Sequence, residues 1–251
     1  MKNNIYKKIL TNYAAKRKMI AILLDPDHCT NMQLDKIISI LKTNTPDFIF
    51  VGGSHAVTST DNLIETLKAK LNTDIVLFPG NASQFSYKAD ALLFLSLISG
   101  RNAEFLIGQH VNSALEIKKS GIEVIPTAYI LIEGGKTSSV EYMSNTRPIP
   151  HDKKSIALST AIAGELLGMQ LVYLEAGSGA NMPVGKNMIQ FVRKNLSVPL
   201  IVGGGIKTLD NLESAFNAGA DIVVIGNAFE SNPEKIEEFV RFCSDYKTMN
   251  L

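Results

Sequence analysis

Short apolar runs recur along the chain, and most are separated by stretches in which apolar residues return at helical spacing. The runs occupy residues 19–24, 47–51, 74–79, 89–95, 122–126, 171–175, 199–202 and 221–225. Each is continuous rather than alternating, the pattern of a parallel strand covered on both faces. After the first run, Leu34, Ile37, Ile38 and Leu41 share one helical face, with Thr30 or Asn31 placed to cap its start. Leu63, Ile64 and Leu67 do the same after the second. Further helices are expected over 105–120, 153–167, 188–195, 209–218 and 233–246. Eight strands alternating with helices, with no linker or low-complexity break, predict a single α/β domain over 1–251, a (β/α)8 TIM barrel. An open doubly wound sheet is the alternative, and its usual strand count is smaller.

One connection departs from the pattern. Residues 80–88, between the third and fourth runs, read Gly-Asn-Ala-Ser-Gln-Phe-Ser-Tyr-Lys. A parallel crossover normally needs about a dozen residues or more, so the third helix is expected to be replaced by a short loop. That loop is either a trimmed turn or the opening of an apolar groove on the barrel flank, for which Phe78, Phe85, Tyr87 and Phe94 are the candidate lining.

Composition narrows the setting. Hydrophobic residues make up 45% of the chain, enough to build a large core. A net charge of +1 argues against nucleic-acid binding, which normally needs a strongly basic face. The two cysteines, Cys29 and Cys243, lie in no metal-binding spacing and suggest a reducing cytoplasm. Residues 1–18 are polar and lysine-rich, unlike a signal peptide. No run approaches the ~18 apolar residues of a membrane span, which leaves only peripheral membrane contact.

In a barrel, chemistry sits at the C-terminal ends of the strands. After the first run come Asp25, Asp27 and His28; Asp25 at the strand tip is a hard ligand suited to Mg²⁺, Asp27 is better placed to cap a helix, and His28 reads as a surface loop residue. After the second comes Gly52-Gly53-Ser54, where the Ser54 hydroxyl could serve a metal or phosphate or equally cap a helix. In the sixth run Tyr173 and Glu175 fall on one side, and Glu175 needs a partner if it faces the interior. Gly177-Ser178-Gly179 follow as parts of an anion nest. Gly203-Gly204-Gly205 after the seventh run and Gly226-Asn227 after the eighth form the strongest signal, since barrels bind phosphates with these two loops. Residues 127–150 form a long segment on the same face, a candidate lid on which Tyr129 could meet substrate, while Lys136 and Arg147 read as solvated charges.

Taken together, Leu24-Asp25-Pro26-Asp27, Val51-Gly52-Gly53-Ser54, Tyr173-Leu174-Glu175-Ala176-Gly177-Ser178-Gly179, Val202-Gly203-Gly204-Gly205-Ile206 and Gly226-Asn227 resemble the geranylgeranylglyceryl phosphate synthase / heptaprenylglyceryl phosphate synthase family. Residues 96–102 and 106–110 resemble its central stretch, so the likeness covers nearly the whole chain in order. The resemblance implies a Mg²⁺-dependent prenyltransferase of phospholipid synthesis. It would join sn-glycerol 1-phosphate to a prenyl diphosphate, geranylgeranyl diphosphate above others, through an ether bond. It implies that Asp25 and Ser54 hold the metal. Tyr173, Leu174, Glu175, Ala176, Gly177, Ser178, Gly179, Gly204, Gly205, Gly226 and Asn227 would bind glycerol 1-phosphate. Glu175 would act as base, and Tyr129 would lie near the allylic centre. It further implies a homo-oligomer, a dimer or hexamer. A sugar-phosphate isomerase or epimerase is the alternative enzyme, and it would need neither the short third connection nor the Asp25 and Ser54 pair; a non-catalytic phosphate sensor is the alternative class, against which an intact Glu175 argues.

Overall fold

The computed structural model describes residues 4–29, 31–53, 58–230 and 232–249. Eight parallel strands close into a barrel in chain order, β1 pairing with both β2 and β8. They are β1 (Met19–Leu24), β2 (Phe48–Val51), β3 (Ile75–Leu77), β4 (Ala91–Leu97), β5 (Glu123–Leu131), β6 (Leu171–Glu175), β7 (Leu200–Gly203) and β8 (Ile222–Ile225). The helices include α1 (Ile5–Ala14), α2 (Asn31–Thr43), α3 (Thr60–Lys70), α4 (Gln109–Ser120), α5 (Ser139–Ser144) and α6 (Lys154–Leu166). They continue with α7 (Lys186–Arg193), α8 (Leu209–Ala218), α9 (Asn227–Glu230) and α10 (Lys235–Met249). Thr30, a candidate cap, lies outside the described residues, and Asn31 opens α2.

The barrel has two apolar layers. Alternate strand residues such as Phe48, Phe50, Val76, Leu93 and Tyr173 fill its interior. The intervening ones, such as Ile49, Val51, Leu174 and Val202, pack outward beneath the helices. Three strand-opening aspartates tie the lower rim. Asp47 accepts from the Ile20 amide (2.9 Å), Asp90 from Ile75 (2.8 Å) and Asp221 from Leu200 (2.8 Å). Arg193 donates to Asp221 at 2.9 Å.

Several boundaries move. β4 starts and ends two residues later than the apolar run implied, and β5 continues past Pro126 to Leu131. Proline lacks only the amide donor; its carbonyl still accepts from Gln170 (2.8 Å). A π-turn at Glu104–Gly108 precedes α4. The lysine-rich start of the chain holds an element that its composition concealed. Helix α1 inserts Ile5 and Ile9 into the interior layer and so closes the barrel's lower end. Glu123 accepts from its first amides, Ile5 (2.7 Å) and Tyr6 (2.9 Å), and Lys8 pairs with Asp74 (2.7 Å).

The short third connection is as expected: only a single 3₁₀ turn, Ala82–Gln84, lies between β3 and β4. Its frame is polar and cross-linked. Buried Gln84 accepts from Gly80 (3.0 Å) and donates to the Gly53 carbonyl (3.0 Å), and Gln109 of α4 accepts from Ala82 (2.9 Å).

Candidate functional site

Two cavities meet at the C-terminal end of the barrel. One is a polar cup over the barrel axis, lined by the ends of β1, β6, β7 and β8. The other is an apolar trough running down the flank past the third connection, between Phe85, Phe94, Phe105 and Ile117. Gly53, Phe78, Tyr129 and Val140 line both. Phe78, Phe85 and Phe94 therefore line the trough as expected. Tyr87 does not: the chain there is already returning to the lower rim, and its exposed ring lines a hollow beside Asn4 and Asp90.

Glu175 ends β6 and points into the cup, 6% exposed. Burial pushes its carboxyl up to about 7, opposed by the Gly177 amide, which donates to Oε1 at 2.7 Å, and by the Tyr173 hydroxyl. That hydroxyl is buried beside the carboxylate. Burial and the charge of Glu175 hold the Tyr129 and Tyr173 phenols well above their ordinary range. The two rings meet edge to face at 5.2 Å, and Phe78 stacks on Tyr173 at 5.4 Å. Glycine is required opposite this carboxylate. A Cβ on Gly204 would lie 2.3 Å from Glu175 Oε1, and one on Gly203 2.3 Å from the Tyr173 hydroxyl.

The predicted nest assembles with one division of labour. Ser178, Gly179, Gly204, Gly205, Gly226 and Asn227 all line the cup. Leu174 and Ala176 turn their side chains into the outer layer, and the Ala176 amide is engaged by the Gly203 carbonyl at 3.0 Å. The rim is held by a chain of hydrogen bonds: Ser178 Oγ donates to Asn227 Oδ1 (2.7 Å) and Asn227 Nδ2 to Glu230 Oε2 (3.1 Å). His28 Nδ1 faces the same Glu230 oxygen at 3.0 Å. His28 is exposed, as expected of a loop residue, and this bond raises its pKa. Sequence reading missed Glu230, Lys207 and Leu23, which also line the cup; only their positions just beyond or within strand ends could have flagged them.

Asp25 follows β1 directly and lines the cup. Its Oδ1 accepts from the Asp27 amide at 3.0 Å, and Oδ2 lies where a side chain on Gly53 would meet it at 2.3 Å. Burial raises its pKa, with the Asp27 amide opposing. Asp27, expected as a helix cap, accepts from the Thr58 amide at 2.7 Å and so joins the first loop to the second. Ser54 lies outside the described residues. Among the described residues no cluster of three or more His, Cys, Asp or Glu could hold a metal unaided. Mg²⁺ commonly binds through one or two carboxylates plus substrate phosphates. A half-buried carboxylate facing the cup, in no ion pair among the described residues, fits a cation that arrives on a diphosphate.

Fold and site together define a (β/α)8 barrel with a glycine-lined polar cup over its axis and an apolar trough opening from it. The chain belongs to the PcrB family, whose model matches residues 13–243. A relative from Chitinophaga pinensis, named geranylgeranylglyceryl phosphate synthase, is 47% identical over 95% of each chain. One of the same name from Thermococcus gammatolerans is 44% identical over 86% of this chain and 85% of its own. Among solved structures, (S)-3-O-geranylgeranylglyceryl phosphate synthase from Thermoplasma acidophilum, in complex with its substrate sn-glycerol-1-phosphate, superposes with a TM-score of 0.89. It shares 33% identity, with 96% of this chain and 98% of that one covered.

Proposed function

We propose that this protein is a prenyltransferase that forms an ether bond between sn-glycerol 1-phosphate and a long prenyl diphosphate. Geranylgeranyl diphosphate is the donor, giving geranylgeranylglyceryl phosphate and diphosphate. The observation that carries this reading is the junction of cup and trough at Phe78 and Tyr129. One cavity suits a small phosphorylated alcohol, the other a long apolar chain, and a buried carboxylate lines the cup close enough to Tyr129 of the junction to raise its phenol pKa. The names of the relatives and the substrate of the Thermoplasma enzyme support the same assignment.

The geometry suggests how the residues divide the work. The loops after β6, β7 and β8 hold the phosphate of glycerol 1-phosphate, fixing the attacking hydroxyl near Glu175. The trough holds the prenyl chain with its allylic carbon beside Tyr129. As the allylic C–O bond breaks, its electron pair leaves with the diphosphate. The glycerol oxygen forms the new bond to that carbon, and its proton passes to Glu175. The faces of Tyr129 and Phe78 favour the positive charge that develops between. Asp25 and Ser54 would hold Mg²⁺, which supplies neutralisation of the leaving diphosphate when bound.

The same reading makes the chain a cytoplasmic homo-oligomer, a dimer or hexamer. Ile107, Val111 and Leu115 are exposed at i, i+4, i+8 along α4 and the turn before it, with Leu166 and Leu167 exposed at the end of α6. Such apolar surface suits contact between copies. Both cysteines are free, as a reducing compartment requires. No helix among the described residues is long and apolar enough to cross a membrane, so contact with lipid would be peripheral.

The test is incubation with sn-glycerol 1-phosphate, labelled geranylgeranyl diphosphate and Mg²⁺, followed by extraction into organic solvent. The proposal expects a labelled phospholipid that requires both substrates. Absence of labelled lipid with prenyl donors of any length contradicts it.

A further inference from the structure

The segment between β5 and α5 lies directly on the loop after β6. The Gly134 carbonyl accepts from the amides of Asn181 (2.9 Å) and Met182 (3.1 Å), and the Gly135 carbonyl accepts from the Asn181 side chain (3.1 Å). The fit is close enough that a Cβ on Gly134 would lie 2.2 Å from the Ala176 carbonyl oxygen. Ser138 packs as tightly over Gly177, 2.5 Å from where a Cβ on it would stand. These contacts deliver one cation to the rim of the cup. The Lys136 ammonium stands 3.1 Å from the position a Cβ on Gly179 would occupy, and Gly179 lines the cup.

Glu133, three residues before Lys136, faces His151 at 3.2 Å. Among the described residues Lys136 forms no ion pair. The amides of Ala176 and Gly177 are likewise committed, to the Gly203 carbonyl and to Glu175. The remaining amides of the nest carry no full charge, so a phosphate dianion held there gains from an ammonium beside Gly179.

We infer that Lys136 is a phosphate-binding residue, a cation reaching from the β5–α5 segment over Gly179 to the phosphate of glycerol 1-phosphate. This rests on the proposed substrate. Lys136 is exposed, as its sequence reading as a solvated charge expects, and its ammonium stands beside Gly179 at the cup's edge. Its pinned backbone limits the ordering needed on binding, so the ammonium is largely in place before the phosphate arrives.

Calorimetric titration with sn-glycerol 1-phosphate, and separately with inorganic phosphate, tests this on the native protein, Lys136→Met and Lys136→Arg. A charge-assisted contact of this kind changes affinity by roughly ten- to a hundred-fold. The expected result is a loss of that order for both ligands in Lys136→Met, recovery to within a few-fold in Lys136→Arg, and an unchanged KM for the prenyl diphosphate. An unchanged melting temperature in Lys136→Met separates loss of the ligand from loss of the fold. If the native protein binds glycerol 1-phosphate and Lys136→Met binds it equally well, the inference is overturned. If the native protein binds neither ligand, the substrate assignment itself fails.

Discussion

A carboxylate with a pKa raised to about 7 is a base only when it has lost its proton. Turnover should therefore rise tenfold per pH unit below about 7 and level off above it, a limb measurable as kcat/KM for glycerol 1-phosphate. Glu175→Gln should lose that limb and ~10²–10⁴ of the rate, the usual contribution of a positioned acid–base group. Stability runs the other way. A folded-state pKa above the ordinary carboxyl value means that the fold favours the protonated form. Stability from this group is full below about pH 4.5 and is lost as pH rises toward 7. Glu175→Gln keeps an acceptor for the Gly177 amide without the buried charge. Above pH 7 it should be more stable than the native protein by about 1–3 kcal/mol in urea denaturation. Gly204 is constrained by the same carboxylate. Gly204→Ala would place a methyl 2.3 Å from Oε1 on a backbone with φ +81°, and should abolish turnover with a stability loss of about 1–3 kcal/mol. Glu175 and the glycine loops were legible in the sequence because side-chain alternation along a strand and clustered glycines at strand ends are local signals. The Glu230–Asn227–Ser178 chain was not, because its members come from separate loops that only the closed barrel brings together.

At the scale of elements, continuous apolar runs made the strands legible, and the brevity of residues 80–88 made the absent helix legible. Helix α1 escaped because only Ile5 and Ile9 of its turns enter the core, among lysines that carry no strong pattern. What fixes it is tertiary: the Glu123 carboxylate at its N-terminus and a barrel floor that needs filling. Ile9→Ala should therefore cost about 2–5 kcal/mol, as for other fully buried residues, and lower the melting temperature without changing KM for either substrate. The trough makes the opposite prediction. Ser113 of α4 lines it, and Ser113→Phe should obstruct it. The expected outcome is a raised KM for geranylgeranyl diphosphate and an unchanged affinity for glycerol 1-phosphate. The frame of the trough was invisible in sequence, since Gln84 and Gln109 acquire meaning only through the carbonyl and amides they bridge across elements.

The whole molecule is a barrel whose axis ends in a polar cup and whose flank, left uncovered by one missing helix, becomes an apolar trough. Phosphate-binding glycine loops alone are shared by many barrels and left an isomerase or epimerase open. The trough has no use in such an enzyme, and its junction with the cup at Phe78 and Tyr129 is what favours prenyl transfer. Assembly belongs to this scale too. If the apolar face of α4 and α6 joins copies, light scattering should give a mass at least twice that of one chain, and Val111→Glu with Leu115→Glu should lower it. The central claim is that the two substrates meet where the two cavities meet. A crystal structure with glycerol 1-phosphate and a non-reactive thio analogue of geranylgeranyl diphosphate tests it most directly. The account predicts a glycerol hydroxyl on Glu175, the allylic carbon beside Tyr129 and the prenyl chain between Phe85 and Phe94. A prenyl chain lying outside the trough, or a glycerol hydroxyl remote from Glu175, would contradict it.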